Sequence, residues 1–395
     1  MTVSNTPTLQ SQLLNVIEPV LEQMPDGILK QALKDAFRSQ ESELLDVEAT
    51  FQALTSRRHA APQLRKFFGS WSKTNNSSAS VSGLANRITL LRDTDGDGRA
   101  ETKTAFLTGL NSPYGMALLD GTLYVANTDA LMAFPYKEGE TKITVAGKKI
   151  IDLPAQSPNQ HWTKSLTVGP NGLLYIGVGS NSNIADNGLE AEAKRAAVYE
   201  VNPKTGYKRI FANGLRNPVG LAFEPKSGAL WGVVNERDMA GSDLVPDYLT
   251  RVEFGAFYGW PWNYWGGYED RRVQPQRPEI REYTKRPDYA LGNHVAPLGL
   301  TFADKVQLGA PYTEGAFVGL HGSWNRKPAA GYKVVFVGFA DGEAGKAKPI
   351  DVLTGFLDKD GAAHGRPVDV TADAKGALLV TDDVGGVVWR VTKAK

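Results

Sequence analysis

The sequence has no cysteine, and this absence removes several kinds of chemistry at once. Disulfide bonds, thiolate metal sites, catalytic thiols and covalently attached haem, which needs a Cys-x-x-Cys-His motif, are all excluded. No run of eighteen or more apolar residues is present, so we expect no membrane span. An excess of charge is lacking too, because 44 basic and 43 acidic residues leave a formal net charge of +1. A broad electrostatic surface for nucleic acid is therefore not expected, which favours small-molecule chemistry.

Glycine and proline are plentiful, and the chain divides into three regions. The 41 glycines and 22 prolines are spread without a short period, which favours many short strands joined by turns. Residues 1–72 instead show helical periodicity and predict a helical leader of unknown role, followed by a polar linker at 73–85. Residues 86–395 form the β-rich domain. The N-terminus lacks the basic start and apolar stretch of a secretory signal, so the chain as written is expected to stay in the cytoplasm.

Repetition is the strongest signal in the β-rich region. A Pro-x-Gly-(Met/Leu) motif begins at Pro113, Pro218 and Pro297, and each copy is followed by a turn and an apolar strand. The turn and strand recur roughly 50 to 90 residues apart, at 120–129, 171–180, 227–236, 314–323 and 375–384. A propeller blade takes about 40 to 50 residues plus insertions. We therefore predict an all-β, six-bladed β-propeller with five visible blades and an incomplete first blade; a sandwich would not explain the shared motif.

An acidic loop precedes the repeats. Three aspartates alternate with other residues, a glycine allows a sharp turn, and a glutamate follows. Hard oxygen ligands at this spacing suit Ca²⁺, and we assign to this structural calcium loop Asp93, Asp95, Asp97, Arg99 and Glu101. The twelfth position is Thr104 instead of a bidentate glutamate, so the loop is not a complete EF-hand. A solvated acidic hairpin turn is the alternative.

Polar loops recur where the repeats begin and end their inner strands. In a propeller, loops at equivalent positions converge on one end of the central channel. Imidazole, guanidinium, amide and indole groups together suit a planar polyanion beside a neutral polyol. The candidate residues are His161, Arg216, Asn217, His321, Trp324, Asn325, Arg326 and Arg366. The alternative is that these loops only hydrogen-bond one blade to the next.

The segment FYGWPWNYWGGYEDRR at 257–272 is unusually rich in aromatic residues. Aromatic rings stack on sugar faces, which makes the segment a candidate substrate wall. Large aromatic side chains also anchor long insertions to a protein body, and the sequence leaves both interpretations open.

Five long motifs carry a resemblance to a known family. They are HWTKSLTVGPNGLLYIGVGSNSN, GLRNPVGLAF, VNERDMAGSDLVPDYLTRVEFGAFYGWPWNYWGG, HGSWNR and GRPVDV. Together they resemble the glucose/sorbosone dehydrogenase family over about residues 86 to 393, and the sorbosone branch in particular. Members are six-bladed propellers that use pyrroloquinoline quinone (PQQ) and Ca²⁺. Because members usually begin with an export signal, the resemblance implies a periplasmic or secreted protein, in contrast to the N-terminus seen here.

The resemblance also implies roles for individual residues. His161 would be the general base for the anomeric hydroxyl while a hydride passes to PQQ, and Arg216 and Asn217 would contact the quinone oxygens. A second calcium would be held by the segment that includes Arg237, Asp238 and Met239, and we assign Asp238 and Met239 to it. Arg366 would hold a PQQ carboxylate, and the HGSWNR segment, with Arg326 or His321, would supply a second contact.

These observations predict a PQQ-dependent dehydrogenase that oxidises an aldose or aldehyde-type sugar such as sorbosone. The electrons would pass to an external acceptor, a cytochrome or a quinone, because no haem motif is present. A calcium-dependent propeller hydrolase such as a lactonase is the first alternative. A non-catalytic carbohydrate-binding propeller that uses the aromatic segment is the second.

Overall fold

Short antiparallel strands make up nearly all the regular structure of residues 86–393, which are the residues that the computed structural model describes. The predicted helical leader and polar linker lie outside the described residues. The strands are β1 (Ile88–Arg92), β2 (Thr102–Leu107), β3 (Gly115–Leu119), β4 (Thr122–Ala126), β5 (Ala130–Pro135), β6 (Lys148–Asp152), β7 (Lys164–Val168), β8 (Leu174–Val178), β9 (Ala197–Val201), β10 (Lys208–Asn213), β11 (Pro218–Phe223), β12 (Leu230–Val234), β13 (Pro246–Arg251), β14 (Asn263–Tyr264), β15 (Tyr268–Glu269), β16 (Tyr289–Asn293), β17 (Pro297–Phe302), β18 (Gly315–Leu320), β19 (Lys333–Ala340), β20 (Glu343–Ala344), β21 (Ile350–Leu353), β22 (Pro367–Ala372), β23 (Leu378–Asp382) and β24 (Val387–Val391).

The strands form five blades of a β-propeller. The blades, from innermost strand outward, are β3-β4-β5-β6, β7-β8-β9-β10, β11-β12-β13-β16, β17-β18-β19-β21 with β20 beside β19, and β22-β23-β24. Two short hairpins, β1-β2 and β14-β15, and three 3₁₀ helices at Leu189–Glu192, Pro278–Tyr283 and Ala303–Lys305 complete the described part. The all-β propeller is thus confirmed. The sixth blade is not, because β1 and β2 pair only with each other.

The glycine of each Pro-x-Gly motif lies where two neighbouring innermost strands come very close. A Cβ on Gly115 of β3 would lie 2.5 Å from the backbone nitrogen of Leu166 in β7. The glycines of β11 and β17 meet the next inner strand in the same way, since added Cβ atoms would lie 2.7 Å from the Leu298 carbonyl oxygen and 2.6 Å from the Val370 nitrogen. The Pro-x-Gly motif therefore supplies the close backbone contact between neighbouring blades.

Hydrophobic side chains fill the spaces between successive blades. One cluster joins the first and second blades and includes Leu131 and Ile151 of the first with Ile176 and Tyr199 of the second. Equivalent clusters lie at each following blade junction, and a fifth packs hairpin β1-β2 against the first blade. The polar loops are left at the ends of the strands, around the channel. Among residues 86–393, no helix is long and apolar enough to cross a membrane.

Candidate active site

His161 lies in the loop before β7, and its ring is held through one nitrogen. Its Nδ1 lies 3.0 Å from the Ser180 carbonyl oxygen and 2.8 Å from Ser180 Oγ. The carbonyl can only accept, and the hydroxyl donates its own proton to the Ser182 carbonyl oxygen at 2.7 Å. Both groups therefore accept from His161, which assigns the proton to Nδ1 from the hydrogen-bond network. In the neutral ring, Nε2 then carries a free lone pair.

The surroundings of His161 keep its imidazole neutral. The ring is partly accessible to solvent but is enclosed by protein, and this burial lowers its pKa well below 6.5. The positive charge of Arg216 lowers the pKa further, whereas the Ser180 carbonyl and Asp238 act in the opposite direction. At neutral pH the ring can therefore accept a proton at Nε2.

Arg216 connects the loops that follow three strands. Its guanidinium donates to the Asn183 carbonyl oxygen at 3.1 Å, to Asn183 Oδ1 at 2.9 Å and to the Glu236 carbonyl oxygen at 2.7 Å. Its own carbonyl oxygen accepts from the Ser180 nitrogen at 2.7 Å, which couples it to the support of His161. The side chain is only 3% exposed. Its charge thus acts inside the protein, where solvent screens it weakly.

Asn217 and His161 flank the same glycine. A Cβ on Gly179 would lie 2.4 Å from Asn217 Oδ1 and 2.5 Å from the His161 Cβ. The buried Asn217 Oδ1 has no hydrogen-bond partner among the described residues. The structure therefore brings His161 close to the loop of Arg216 and Asn217, and the Asn217 Oδ1 atom has no donor among the described residues.

Asp238 forms a second branch of this cluster. Its Oδ2 lies 3.4 Å from Arg216 Nη2, and its Oδ1 accepts from Asn325 Nδ2 at 2.9 Å and lies 3.3 Å from His294 Nδ1. Burial acts to raise the pKa of Asp238, but the hydrogen bond from His294 and the charge of Arg216 outweigh it and lower the pKa. Met239 follows with a positive φ of 68° and a largely exposed side chain.

His321 and Arg366 form another group at the channel. His321 Nε2 lies 3.1 Å from both carboxylate oxygens of Asp383. Arg366 donates to the His321 carbonyl oxygen at 3.0 Å and to the Gly322 carbonyl oxygen at 2.7 Å, and its guanidinium lies over the Tyr332 ring. His321 and Arg366, both predicted from the sequence to bind the cofactor, are thus in direct contact.

Tyr114 links this group to the loop of His161. Its ring meets the Trp162 ring edge-on, with centroids 6.1 Å apart. Burial raises the pKa of Tyr114, and the charges of Asp369 and Asp383 raise it further. The hydroxyl therefore stays protonated.

Two further predicted cofactor residues, Trp324 and Arg326, flank Asn325 in the sequence. Arg326 donates to the Ser242 carbonyl oxygen at 3.1 Å and pairs with Asp243 Oδ1 at 3.1 Å. Trp324 is 65% exposed. Neither has a hydrogen bond to His161 or Arg216 among the described residues, so their assignment to the cofactor stays a prediction.

The predicted calcium loop lies in the turn between β1 and β2, apart from the His161 cluster. The carboxylates of Asp93, Asp95, Asp97 and Glu101 offer oxygen atoms within 4.8 Å of one another, and all four residues are exposed. Glu101 accepts from the backbone and hydroxyl of Thr94, which lowers its pKa. Arg99 donates its backbone N–H to Asp97 Oδ1 at 2.7 Å. These contacts also fit a solvated acidic turn, so the calcium assignment stays a prediction.

Four residues of the cluster were not among the candidates predicted from the sequence: Ser180, Asn183, Arg195 and His294. Arg195 donates to the His161 carbonyl oxygen at 3.0 Å and to the Gly179 carbonyl oxygen at 2.9 Å, so it fixes the loop. His294 could have been found, because it precedes the Pro297 motif much as Arg216 precedes the Pro218 motif. Arg195 comes from a long connection without a repeated pattern and offered no such signal.

The aromatic segment at 257–272 contains both buried anchoring residues and an exposed aromatic pair. Tyr258 and Trp260 are buried, and Trp260 Nε1 donates to the Asn183 carbonyl oxygen at 3.1 Å. They anchor the insertion to the body. Tyr264 and Tyr268 stack with ring centroids 5.8 Å apart, and Tyr268 is 60% exposed. This pair offers a flat accessible surface.

Comparison with known sequences gives one family match and several relatives. The TrAA12-like family matches residues 82–246 and 276–394. A protein of Borreliella burgdorferi named only as uncharacterized is 28% identical over 293 residues, covering 71% of this chain and 76% of that protein. A pyrroloquinoline quinone-dependent pyranose dehydrogenase of Coprinopsis cinerea is also 28% identical, over 59% of this chain, and the match spans 40% of that enzyme.

Comparison with solved structures shows the shared fold. The calcium structure of a Trichoderma reesei carbohydrate-active enzyme of family AA12 has a TM-score of 0.67 at 18% identity, over 78% of this chain and 87% of that one. The holo form of the PQQ domain of the Coprinopsis cinerea pyranose dehydrogenase has a TM-score of 0.65 at 21% identity, over 79% and 94%. The described part of this chain thus shares its overall fold with these two structures.

Proposed function

This chain belongs to the TrAA12-like family, and on that premise we propose that it is a PQQ-dependent sugar dehydrogenase. The proposed substrate is an aldose or aldehyde-type sugar such as sorbosone. The observation that carries the proposal is the neutral His161 ring, whose proton is on Nδ1 and whose Nε2 is free inside a polar cluster. A relative and a structural neighbour are described as PQQ-dependent sugar enzymes, which supports the same chemistry.

The residues of the cluster fit a cation and a polar cofactor. The buried oxygen atoms Asn217 Oδ1, Glu236 Oε1 and Asn325 Oδ1 have no hydrogen-bond partner among the described residues. Unpaired oxygen atoms of this kind suit Ca²⁺, which we propose is held here with Asp238 and the backbone near Met239.

Basic and amide groups around the same channel fit the carboxylates and quinone oxygens of PQQ. Arg366 uses Nε and Nη2 on backbone carbonyls, and its Nη1 has no partner in the described part of the chain. We propose that Arg366 and His321 bind the carboxylate end and that Arg216, Asn217 and Asn325 bind the quinone end. Trp324 and Arg326 would close the rim above the cofactor.

In the proposed reaction, the sugar loses a hydride from carbon and a proton from its hydroxyl. PQQ, when bound, supplies the two-electron acceptor for the hydride. His161 accepts the hydroxyl proton at Nε2, while Ser180 holds the ring through Nδ1 and favours the tautomer that the step needs. Arg216 fixes the surrounding loops and keeps the imidazole unprotonated.

Three finer features are part of the same proposal. Electrons would leave to an external cytochrome or quinone. Hairpin β1-β2, which packs on the first blade, would be the outer half of a sixth blade. A periplasmic or secreted location rests on the family resemblance alone.

A dye-linked assay tests the proposal. Purified protein is incubated with PQQ and Ca²⁺, and reduction of an artificial electron acceptor is followed over a panel of aldoses and sorbosone. We expect turnover that requires PQQ and is lost in His161→Ala, whereas His364→Ala, which changes an exposed histidine, keeps it. Lactone hydrolysis without PQQ would instead support the hydrolase, and sugar binding without either reaction would support the binding protein.

A further inference from the structure

A polar cavity of about 640 Å³ lies beside the proposed active site. Its volume is within the range of small-ligand pockets, about 300 to 1,000 Å³. Arg237 and Met239, which flank Asp238, form part of one wall, and the β14-β15 turn with the residues after it forms the rest. Its charged lining residues are Arg237, Glu269, Asp270, Arg271, Arg272 and Arg281.

Positive charge predominates in this cavity, because four guanidinium groups face two carboxyl groups. One carboxylate is shared by two arginines, since Asp270 Oδ2 lies 2.8 Å from Arg237 Nε and Asp270 Oδ1 lies 3.7 Å from Arg272 Nε. Among residues 86–393, neither Arg271 nor Arg281 forms an ion pair with a carboxylate. The cavity therefore has a charge excess that an anionic ligand would balance.

Arg237 contributes a buried positive charge to the wall of this cavity. Its side chain is only 4% exposed, and its Nη2 atom is buried without a hydrogen-bond partner in the described residues. This atom is enclosed by protein, so Arg237 adds positive charge to the cavity wall without itself touching a ligand. Arg271 and Arg281 line the same cavity without an ion pair among the described residues. Because guanidinium donors pair geometrically with the two oxygens of one carboxylate, a carboxylate is the ligand group that matches them.

The same cavity has an aromatic surface suited to a sugar ring. Tyr264 and Tyr268 line it, and their rings are stacked at an interplanar angle of 21°. An accessible ring with a hydroxyl edge offers an apolar face to the carbon atoms of a sugar and hydrogen bonds to its hydroxyl groups. A cavity with both features matches a sugar that carries a carboxylate.

We propose that this cavity binds the carboxylate-bearing unit of an anionic oligosaccharide. That the bound sugar is also the substrate rests on the proposed function, whereas binding itself does not. Position supports the link, because Arg272 Nη2 lies 3.5 Å from the Asp238 carbonyl oxygen and the Asp238 side chain contacts Arg216. One end of an acidic oligosaccharide would lie at His161 and a neighbouring unit in the cavity.

PQQ also carries carboxylates, and the two sources must be separated. The arginines proposed to hold PQQ, Arg216 and Arg366, do not line the cavity, which favours the sugar. An acidic sugar should therefore bind with and without PQQ, whereas PQQ in the cavity would compete with it.

Isothermal titration calorimetry measures this without turnover. The probe is a trisaccharide of uronic acid units, and its neutral counterpart of the same linkage is the reference. We expect the acidic trisaccharide to bind at least tenfold more tightly at low salt and to lose affinity as sodium chloride is raised to 0.5 M. Arg271→Gln and Arg281→Gln should each weaken binding about fivefold, the upper end of what an exposed ion pair contributes.

Arg277→Gln is the matched control, since Arg277 is an exposed arginine of the same insertion that does not line the cavity. Equal affinity for the neutral and acidic sugars overturns the proposal. So does an equal effect of all three substitutions, or abolition of binding by saturating PQQ. The titration is done on protein without PQQ, so the two proposals can fail separately. A failed dye assay with intact uronate binding contradicts only the dehydrogenase proposal. Oxidation of neutral sugars without uronate binding contradicts only the proposal that the cavity binds an anionic sugar.

Discussion

Lys164 is a buried lysine that we expect to make folding stability depend on pH. It begins β7, its residue is fully buried, and its Nζ donates to the Trp162 carbonyl oxygen at 3.0 Å. Burial lowers its pKa to about 7, and the charge of Arg195 lowers it further against the opposing effect of Asp129. Between pH 7 and the ordinary lysine pKa near 10.5, the folded side chain is therefore neutral while the unfolded one is charged.

Unfolding in that window takes up one proton, so the free energy of unfolding rises with pH. The slope approaches about 1.4 kcal/mol per pH unit, and from pH 7.5 to 9.5 the contribution of Lys164 increases by about 2 kcal/mol. Lys164→Met removes the titrating group and keeps most of the side-chain volume. The variant should therefore gain most over the wild type at pH 7.5 and lose this advantage at pH 9.5.

Urea denaturation of both proteins at the two pH values measures the difference. Lys204→Met, which changes an exposed lysine in the turn after β9, is the control. Its free energy of unfolding should depend on pH as that of the wild type does. If the wild type and Lys164→Met have the same pH dependence, Lys164 is charged in the folded protein and the reasoning from burial is wrong.

The remaining predictions concern the site. Gly179→Ala should lower dye-linked turnover at least tenfold, because its methyl group would displace Asn217 and His161, whereas Gly338→Ala, where no atom lies within 4 Å of the added Cβ, should be silent. Ser180→Ala should lower kcat/KM about three- to tenfold by removing one hydrogen bond to Nδ1, with circular dichroism unchanged. The acid limb of the pH–rate profile should lie below pH 6.5, since the pKa of His161 is lowered; a limb at or above 6.5 would contradict the neutral tautomer.

The blades could be predicted from the sequence because a short motif marks where each of several inner strands begins. Gly115, Gly220 and Gly299 recur in a fixed motif, and each is required where neighbouring innermost strands come close. The sequence also predicted that His161, Arg216 and Asn217 meet, because loops at equivalent positions of a propeller converge. This geometry follows from repetition alone.

Contacts that depend on individual long side chains could not be predicted in the same way. The segment HGSWNR predicts Arg326 at the cofactor, but the pairing of its guanidinium with Asp243 of a different loop had no signal in the sequence. Arg195 reaches the His161 loop from a connection between β8 and β9 that follows no repeat. Such partners depend on side-chain direction and loop conformation, which neither periodicity nor composition specifies.

Arg216 shows how assembly and chemistry are combined in this cluster. Its hydrogen bonds are made mostly to backbone carbonyls of the loops after β8 and β12, so they hold the loops together without neutralising its charge. The carboxylate of Asp238 lies 3.4 Å from Arg216 Nη2 and is itself shared with His294 and Asn325. The remaining positive charge acts on the enclosed His161 ring and disfavours its protonated form. The residue that connects the loops is therefore also one reason why His161 is available to accept a proton.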